Sequence, residues 1–202
     1  MTGKVVNFRR SDAPAEDPVE GCRRGDPEAL RAVFVAHSPY LERLLMRVMG
    51  PTADVEDVLQ NTFVAAIRAF PSFRGEAAVR TWLSRIAIRT AQERLRRAEH
   101  HRRGNLPDLE AVADQTPVGR ERGVDARRQL DAVYRHLEKI GPKKRVAFVL
   151  HVMEGHSMEE VAALTGATRA ATKSRVFWAR RELLKRATHD PVLKELLPEA
   201  EA

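Results

Sequence analysis

Basic side chains crowd one stretch near the C-terminal end of the chain. Residues 169–187 include seven lysines and arginines against a single acid, Glu182, which gives this stretch a net charge of +6. Guanidinium and ammonium groups donate hydrogen bonds to phosphate oxygens and base edges, so these residue types support recognition of nucleic acid. The candidate DNA contacts are Arg169, Lys173, Ser174, Arg175 and Arg180.

No group of residues has the pattern of a catalytic centre. Carboxylates are plentiful, but none is clustered with His or Lys in a loop where an active site could form. Cys22 is the single cysteine, which excludes a disulfide within the chain, and no Cys/His group has the spacing of a zinc site. We therefore predict no catalytic residue, no metal and no cofactor, and an enzyme acting on nucleic acid is the least favoured class.

Two helices joined by a tight turn must position the basic residues. Ser157 and Glu160 have the spacing of a capping box, which predicts the start of the first helix, and Gly166 is suited to end it. The second helix begins after Thr168 and runs without Gly or Pro to about residue 187. Its predicted inward residues are Thr172, Val176, Ala179 and Leu183. This pattern indicates a helix-turn-helix whose second helix enters the major groove; a solvated basic face on an ordinary bundle is the alternative.

Proline residues in the N-terminal half of the chain mark where the predicted helices begin and end. Asp26 and Ser38 each precede a proline, which is the arrangement of an N-cap followed by Pro at the first helical position. Pro71 ends a later apolar-periodic segment. The helices predicted by these signals span about 27–36, 39–49, 54–70 and 77–97.

The third and fourth of these helices leave polar and aromatic residues without an obvious place in a core. Asp57 and Gln60 lie on the polar side of the third helix. Phe73 in the following turn and Trp82 in the fourth helix either pack in the core or offer a stacking surface to a base. The fourth helix also has a long cationic and polar face, formed by Arg80, Thr81, Ser84, Arg85, Arg89, Gln92 and Arg96.

An acidic linker is predicted between the two halves. Residues 98–124 lack apolar periodicity, and between Gly104 and Val118 they hold three acids and no Lys or Arg, a net charge of −3. Two helices over about 125–139 and 142–153 then complete a C-terminal four-helix domain. The last residues are spaced for a short amphipathic turn that covers an apolar patch or binds a partner.

The fold class that follows is all-α, with two small helical domains joined by a flexible linker, the C-terminal one a helix-turn-helix four-helix domain. The chain is long enough for this arrangement. The predicted segments are a disordered tail over 1–17, an N-terminal domain over 18–97, the linker over 98–124, the C-terminal domain over 125–187 and a tail over 188–202.

Several motifs occur in the same order as in a known family. They are DVEDVLQNTF at 54–63, FRGE at 73–76, RTWL at 80–83, KSR at 173–175 and AR at 179–180. In this order they resemble the D-x-E-D-x-x-Q-E-T-F, F-R-G-x, R-T-W-L and K-S-R…A-R of the extracytoplasmic-function (ECF) group of bacterial sigma factors. The resemblance covers about residues 18–187, so it is far more specific than any single motif.

The resemblance implies a non-catalytic transcription initiation factor that binds core RNA polymerase and confers promoter choice. The N-terminal, region 2-like domain would bind the clamp coiled coil of the polymerase through Asp57, Gln60 and Thr62. The same domain would recognise and melt the minus-ten element through Phe73, Arg74, Arg80, Thr81, Trp82, Arg85 and Arg89.

The resemblance also implies roles for the rest of the chain. The C-terminal, region 4-like domain would read the minus-thirty-five element through Arg169, Lys173, Ser174, Arg175 and Arg180. The acidic linker would thread the cationic RNA channel of the polymerase. The implied partners are core polymerase and promoter DNA in double- and single-stranded form, and an anti-sigma factor stays open as a third.

The chain departs from the family pattern at a few positions. Arg89 stands where the family has Asn, which favours a phosphate contact over a base contact there. Asn61 replaces the usual Glu of the polymerase-facing helix. Phe177 and Trp178 stand where polar or basic residues are common, which indicates an unusual minus-thirty-five sequence or a partner.

Charge and hydropathy are consistent with a partner made of nucleic acid. The net charge is +7 and the pI is about 10.1. No segment has the length of a membrane span and the N-terminal residues are no signal peptide, so we predict a cytoplasmic protein without membrane insertion, associated with the nucleoid when bound to polymerase. The chief alternative is a free-standing helix-turn-helix regulator that binds operator DNA as a dimer, which would need neither the basic, Trp-bearing helix nor the acidic linker.

Overall fold

The computed structural model describes residues 18–50, 52, 54–104 and 124–194, and every regular element within these ranges is helical. The helices are α1 Pro18–Arg24, α2 Pro27–Met49, α3 Asp54–Ala69, α4 Val79–Gly104, α5 Val124–Leu137, α6 Pro142–Phe148, α7 Met158–Thr165, α8 Arg169–Ala187 and α9 Pro191–Lys194. A 3-10 turn over Phe70–Ser72 follows α3, and a π-helical turn over Val149–Met153 continues α6. The all-α prediction is confirmed. The tail over 1–17, the acidic part of the linker and the last residues lie outside the described ranges.

Helix α2 is continuous through Pro39, so the predicted break at His37 is wrong. Asp26 caps the helix as predicted, because its carboxylate accepts a hydrogen bond from the Glu28 amide at 3.0 Å. Ser38 is inside the helix and caps nothing. The apolar stripe runs without a gap across the proline, and its burial outweighs the one backbone hydrogen bond that proline removes. The buried residues of this stripe are Leu30, Val33, Leu41, Leu44, Leu45, Val48 and Met49.

Helices α2, α3 and α4 pack against one another and form the N-terminal half of the core. Asp54 begins α3, as predicted, and its carboxylate binds Arg94 of α4 at 2.6 Å. Helix α4 runs on to Gly104, so the predicted end at residue 97 is wrong. The helix continues because no helix breaker occurs between residue 97 and Gly104.

The C-terminal half contains the predicted helices in the predicted order. Helix α8 packs on α6 and α7 and ends near α5. Lys144 of α6 forms an ion pair with Glu182, the one acid of α8. After α8 the chain turns back, and Val192 of α9 packs against Ala132 and Ala187. This part of the tail therefore covers an apolar patch of the same chain.

One hydrophobic core joins the two halves, which the sequence did not reveal. The C-terminal end of α2 meets α5 and α6, where Arg145 donates from Nε to the Val48 carbonyl at 3.0 Å. The Tyr134 hydroxyl donates to the Arg47 carbonyl at 3.0 Å, and the Arg47 side chain forms an ion pair with Glu154. These contacts cap carbonyl groups that the end of a helix leaves without partners.

Gly50 lies where the end of α2 packs tightly against α5. Its φ of +80° lies in the region that favours glycine, and a Cβ at this position would lie 3.0 Å from Cδ1 of Tyr134. Burial raises the pKa of the Tyr134 hydroxyl above its ordinary value, and the neighbouring Arg145 and Arg47 charges partly oppose this. The hydroxyl is therefore neutral at neutral pH and able to donate its hydrogen bond.

Candidate nucleic-acid interface

The helix-turn-helix of α7 and α8 is built by its local hydrogen bonds. The Glu160 amide donates to the Ser157 hydroxyl at 3.2 Å, and the Ser157 amide donates to the Glu160 carboxylate at 2.8 Å, so the predicted capping box is present. These hydrogen bonds lower the pKa of Glu160 below its ordinary value. Gly166 ends α7 with φ +63°, and the Thr168 hydroxyl accepts from the Ala171 amide to begin α8.

The inward face of α8 is the one that the sequence predicts. Thr172, Val176 and Ala179 are buried, and Leu183 is partly buried against the core. Val161, Ala162 and Leu164 of α7 are buried beneath them. The opposite side of α8 is therefore free to meet a ligand.

Four of the five residues predicted to contact the minus-thirty-five element are exposed on α8. They are Arg169, Lys173, Ser174 and Arg180, whereas Arg175 lies on the flank of the helix and is partly buried. Arg169 binds Glu159 of α7 at 2.5 Å. Both side chains are mostly exposed, and such pairs contribute only about 0 to 1 kcal/mol, so a DNA phosphate or base can replace Glu159.

The aromatic residues predicted for the minus-ten element form a cluster. Phe73 is only 7% exposed, and its ring centroid lies 4.8 Å from that of Trp82 and 6.2 Å from that of Phe70. Trp82 also packs on Phe70 at 4.6 Å. The expectation that Phe73 presents an open surface to an extruded base is therefore wrong, because both neighbouring rings and the core occupy its faces. Phe73 is instead packed in the core.

The loop that carries this cluster is held by α1. Arg23 donates from Nε to the Phe73 carbonyl at 2.8 Å and pairs with Glu20 on its own helix. Arg74 and Gly75 follow in the exposed part of the loop. Nothing in the local sequence marks Arg23 for this role, because its partner is a backbone carbonyl fifty residues away.

The cationic face of α4 is present, and part of it faces the C-terminal half. The Arg80 guanidinium lies 3.8 Å from the centroid of the Tyr40 ring, a cation–π contact. Arg85 and Arg89 line a cavity of about 710 Å³ between α4 and the α6–α7 region, with Lys143 and Lys144 on the opposite wall. Thr81 is partly buried.

The residues predicted to bind polymerase divide into two groups. Asp57 and Gln60 are exposed on α3, as the predicted polar side requires. Thr62 is fully buried, and its hydroxyl donates to the Val58 carbonyl at 2.7 Å. The placement of Thr62 on the polar side is therefore wrong, because its hydroxyl bonds within the helix and its methyl group joins the core.

Among the residues that the structure describes, no helix has the length and apolar character needed to cross a membrane. Within the same residues, no three His, Cys, Asp or Glu side chains are grouped in a way that could hold a metal ion.

Known protein families match both halves of the chain. Residues 33–101 match sigma-70 region 2, and residues 130–183 match sigma-70 region 4. The chain is 32% identical over 171 residues to the ECF RNA polymerase sigma-E factor of Escherichia coli K12, covering 80% of this chain and 88% of the relative. It is 34% identical over 161 residues to the ECF RNA polymerase sigma factor SigM of Mycobacterium tuberculosis H37Rv, covering 80% and 78%.

Solved structures share the fold. CnrH in complex with the cytosolic domain of CnrY is 27% identical, with a TM-score of 0.57 over 86% of this chain and 96% of that one. The sigma factor RpoE of Bartonella quintana, solved with the anti-sigma factor NepR, is 22% identical with a TM-score of 0.54 over 77% and 94%. The fold and the helix-turn-helix define a two-part helical DNA-binding protein. The chain belongs to the ECF subfamily of the sigma-70 family.

Proposed function

We propose that this chain binds core RNA polymerase and directs it to a particular set of promoters, without catalytic activity of its own. The observation that carries this proposal is the order of its parts: a region 2 match that ends in a cationic helix, followed by a region 4 match that holds a capped helix-turn-helix. The site of action is the cytoplasm, where core polymerase and the chromosome are found. Family membership also supports an anti-sigma factor as a further partner.

The division of labour follows from exposure and charge. The polar side of α3, with Asp57 and Gln60, binds core polymerase. The Phe73–Gly75 loop and the arginines of α4 act on the minus-ten element, with Arg80, Arg85 and Arg89 along the DNA backbone. The exposed side of α8 reads the minus-thirty-five element.

The decisive experiment combines the purified full chain with core polymerase and sequences the transcripts that begin only when both are present. A defined set of start sites with shared upstream sequences is the expected result. Specific binding to an operator by the chain alone, with no polymerase-dependent start, would favour the free-standing regulator instead.

The polymerase contact has its own test. Asp57→Arg combined with Gln60→Ala should weaken co-elution with core polymerase on size exclusion, because both side chains lie on the exposed side of α3. Glu42→Arg is the matched control, since it makes the same charge reversal at an exposed position of α2. Unchanged co-elution of the double variant, or equal weakening by the control, would contradict this assignment.

The DNA contact of α8 is tested with the holoenzyme on promoter duplexes. Lys173→Ala should lower affinity on all sequences and reduce the salt dependence if this residue meets a phosphate. Arg169→Ala should relax base preference if Arg169 leaves Glu159 to meet a base edge. An affinity that does not change between low and high salt would contradict the electrostatic basis of the interface.

A further inference from the structure

Two large aromatic side chains lie on the outer surface of α8, where a basic helix has no structural need for them. Phe177 is 56% exposed and Trp178 is 47% exposed. Their rings meet edge to face, with centroids 5.4 Å apart and planes at 81°. The Arg181 guanidinium lies 5.5 Å from the centroid of the Trp178 ring. Exposed apolar area of this size on a DNA-binding helix indicates a contact surface.

The position of Phe177 on α8 places it among the predicted DNA contacts. It follows Lys173 by four residues and Arg169 by eight, so the three share one side of the helix. All three are exposed, whereas Thr172, Val176 and Ala179 are buried against the core. At 1.5 Å per residue, Phe177 is about 12 Å along the axis from Arg169, which is about the width of the major groove. A helix that inserts Arg169 and Lys173 therefore brings the Phe177 ring to the same groove.

The chemistry of the groove limits what a phenyl ring can recognise. The edges of guanine, adenine and cytosine present hydrogen-bonding groups there, and burying these against an apolar ring without a partner is unfavourable. Thymine alone adds an apolar group, its C5 methyl. Contact between a phenyl ring and this methyl removes apolar surface from water on both sides.

We propose that Phe177 reads the C5 methyl of a thymine in the minus-thirty-five element, and that Trp178 is a positioning residue that holds the Phe177 ring toward the groove. This inference rests on the proposed function, because it requires α8 to read promoter DNA. The edge-to-face contact fixes the ring, and the Arg181 guanidinium over Trp178 restrains the indole in turn.

The test uses the full chain with core polymerase on a promoter identified by transcript sequencing. Each thymine of the upstream element is replaced in turn by deoxyuridine, which removes the methyl and leaves base pairing and the O4 acceptor unchanged. One substitution should weaken wild-type binding about three- to fivefold, the expected effect of burying one methyl group. Phe177→Ala should bind the thymine and deoxyuridine duplexes equally.

Controls separate the roles of the two aromatic residues. Trp178→Ala should reduce the discrimination between thymine and deoxyuridine, and Trp178→Phe should restore it, because a phenyl ring can keep the edge-to-face contact. Val152→Ala removes an exposed apolar side chain outside α8 and should leave the discrimination intact.

Each remaining outcome has a definite meaning. If no deoxyuridine substitution affects the wild-type protein, or if Phe177→Ala still discriminates, the inference is wrong while the proposed function stands. If Phe177→Ala leaves promoter affinity unchanged and instead weakens co-elution with core polymerase, this face meets a protein and the inference is also wrong. If the wild-type holoenzyme starts no specific transcript, the proposed function itself fails.

Discussion

Phe73 and Phe177 are both aromatic residues near predicted DNA contacts, yet their surroundings are opposite. Phe73 is enclosed by Phe70, Trp82 and the core, whereas Phe177 is more than half exposed. Neither local sequence states this difference, because an arginine lies within two residues of each phenylalanine. Burial depends on which helices pack together, so it has to be read from the tertiary structure.

The two phenylalanines should therefore respond differently to truncation. Phe73→Ala should lower the free energy of unfolding by about 3 to 5 kcal/mol, because it leaves a cavity among packed rings. Phe177→Ala, the matched control, should change it by no more than about 0.5 kcal/mol. Urea unfolding of the full chain measures both values. If Phe73→Ala changed the free energy of unfolding only slightly, the Phe73 ring would not be packed in the core and could serve as a stacking surface for a base.

At the scale of the helices, the sequence was informative wherever a local hydrogen bond decides the structure. The capping box of α7, the Gly166 turn and the N-cap of α8 involve neighbours within a few residues, and all three occur as predicted. The sequence was misleading where a local signal competes with packing. Ser38 and Pro39 form a good helix start, but the apolar stripe of α2 continues past them.

Long-range contacts had no sequence signal at all. Arg23 binds a backbone carbonyl of the Phe73 loop, and Arg145 and Tyr134 bind carbonyls at the end of α2. Any residue can supply a carbonyl, so no particular side-chain type in the distant segment marks such a contact. The two halves are joined by the Arg145 and Tyr134 hydrogen bonds, by the ion pair between Arg47 and Glu154, and by one shared apolar core.

Replacement of Pro39 tests the continuity of α2. Pro39→Ala should raise the free energy of unfolding by about 1 to 2 kcal/mol, since alanine restores an amide donor inside the helix while the unfolded chain gains some freedom. Pro27→Ala, at the first helical position, should be neutral or slightly destabilising, because proline is favoured there. Thermal or urea unfolding compares the two variants. A destabilising effect at Pro39 would instead indicate that a second helix begins there.

The capping box of α7 gives a stability contribution that depends on pH. Ser157→Ala should lower the free energy of unfolding by about 1 kcal/mol at neutral pH. The pKa of Glu160 is lowered in the folded protein, so the contribution of its carboxylate is present at neutral pH and is lost as the pH falls through that lowered pKa. Glu160→Gln should weaken this acid dependence. Urea unfolding between neutral and acidic pH checks both results, and an identical pH profile in Glu160→Gln would contradict the assignment.

At the scale of the whole molecule, the packed arrangement and the proposed promoter contacts require different separations. Elements centred near minus ten and minus thirty-five are about 25 base pairs apart, or about 85 Å along B-form DNA. Here α4 packs on α6 and α7, and α8 packs on the same two helices. Packed helices lie about 8 to 10 Å apart, so α4 and α8 are within about 20 Å of each other. The two halves must therefore separate before both elements can be contacted.

Distance measurements between labels would follow this separation. Spin labels at the exposed positions Glu42→Cys on α2 and Lys185→Cys on α8 should give a longer distance with core polymerase and promoter than in the free protein. Tyr134→Phe removes a hydrogen bond worth about 1 kcal/mol between the halves. It should therefore raise about fivefold the fraction of free protein in which the two halves are separated. An unchanged distance on promoter binding would contradict the proposed opening.

The contact between Gly50 and Tyr134 also constrains how such sequences can diverge. A substitution at residue 50 has to tolerate a positive φ and also needs space that the Tyr134 ring now fills. Among relatives that keep the packed arrangement, Asn or Asp at the position of Gly50 should therefore be accompanied by a small residue at the position of Tyr134. Two segments that lie in different halves, more than eighty residues apart, would then be inherited as a matched pair.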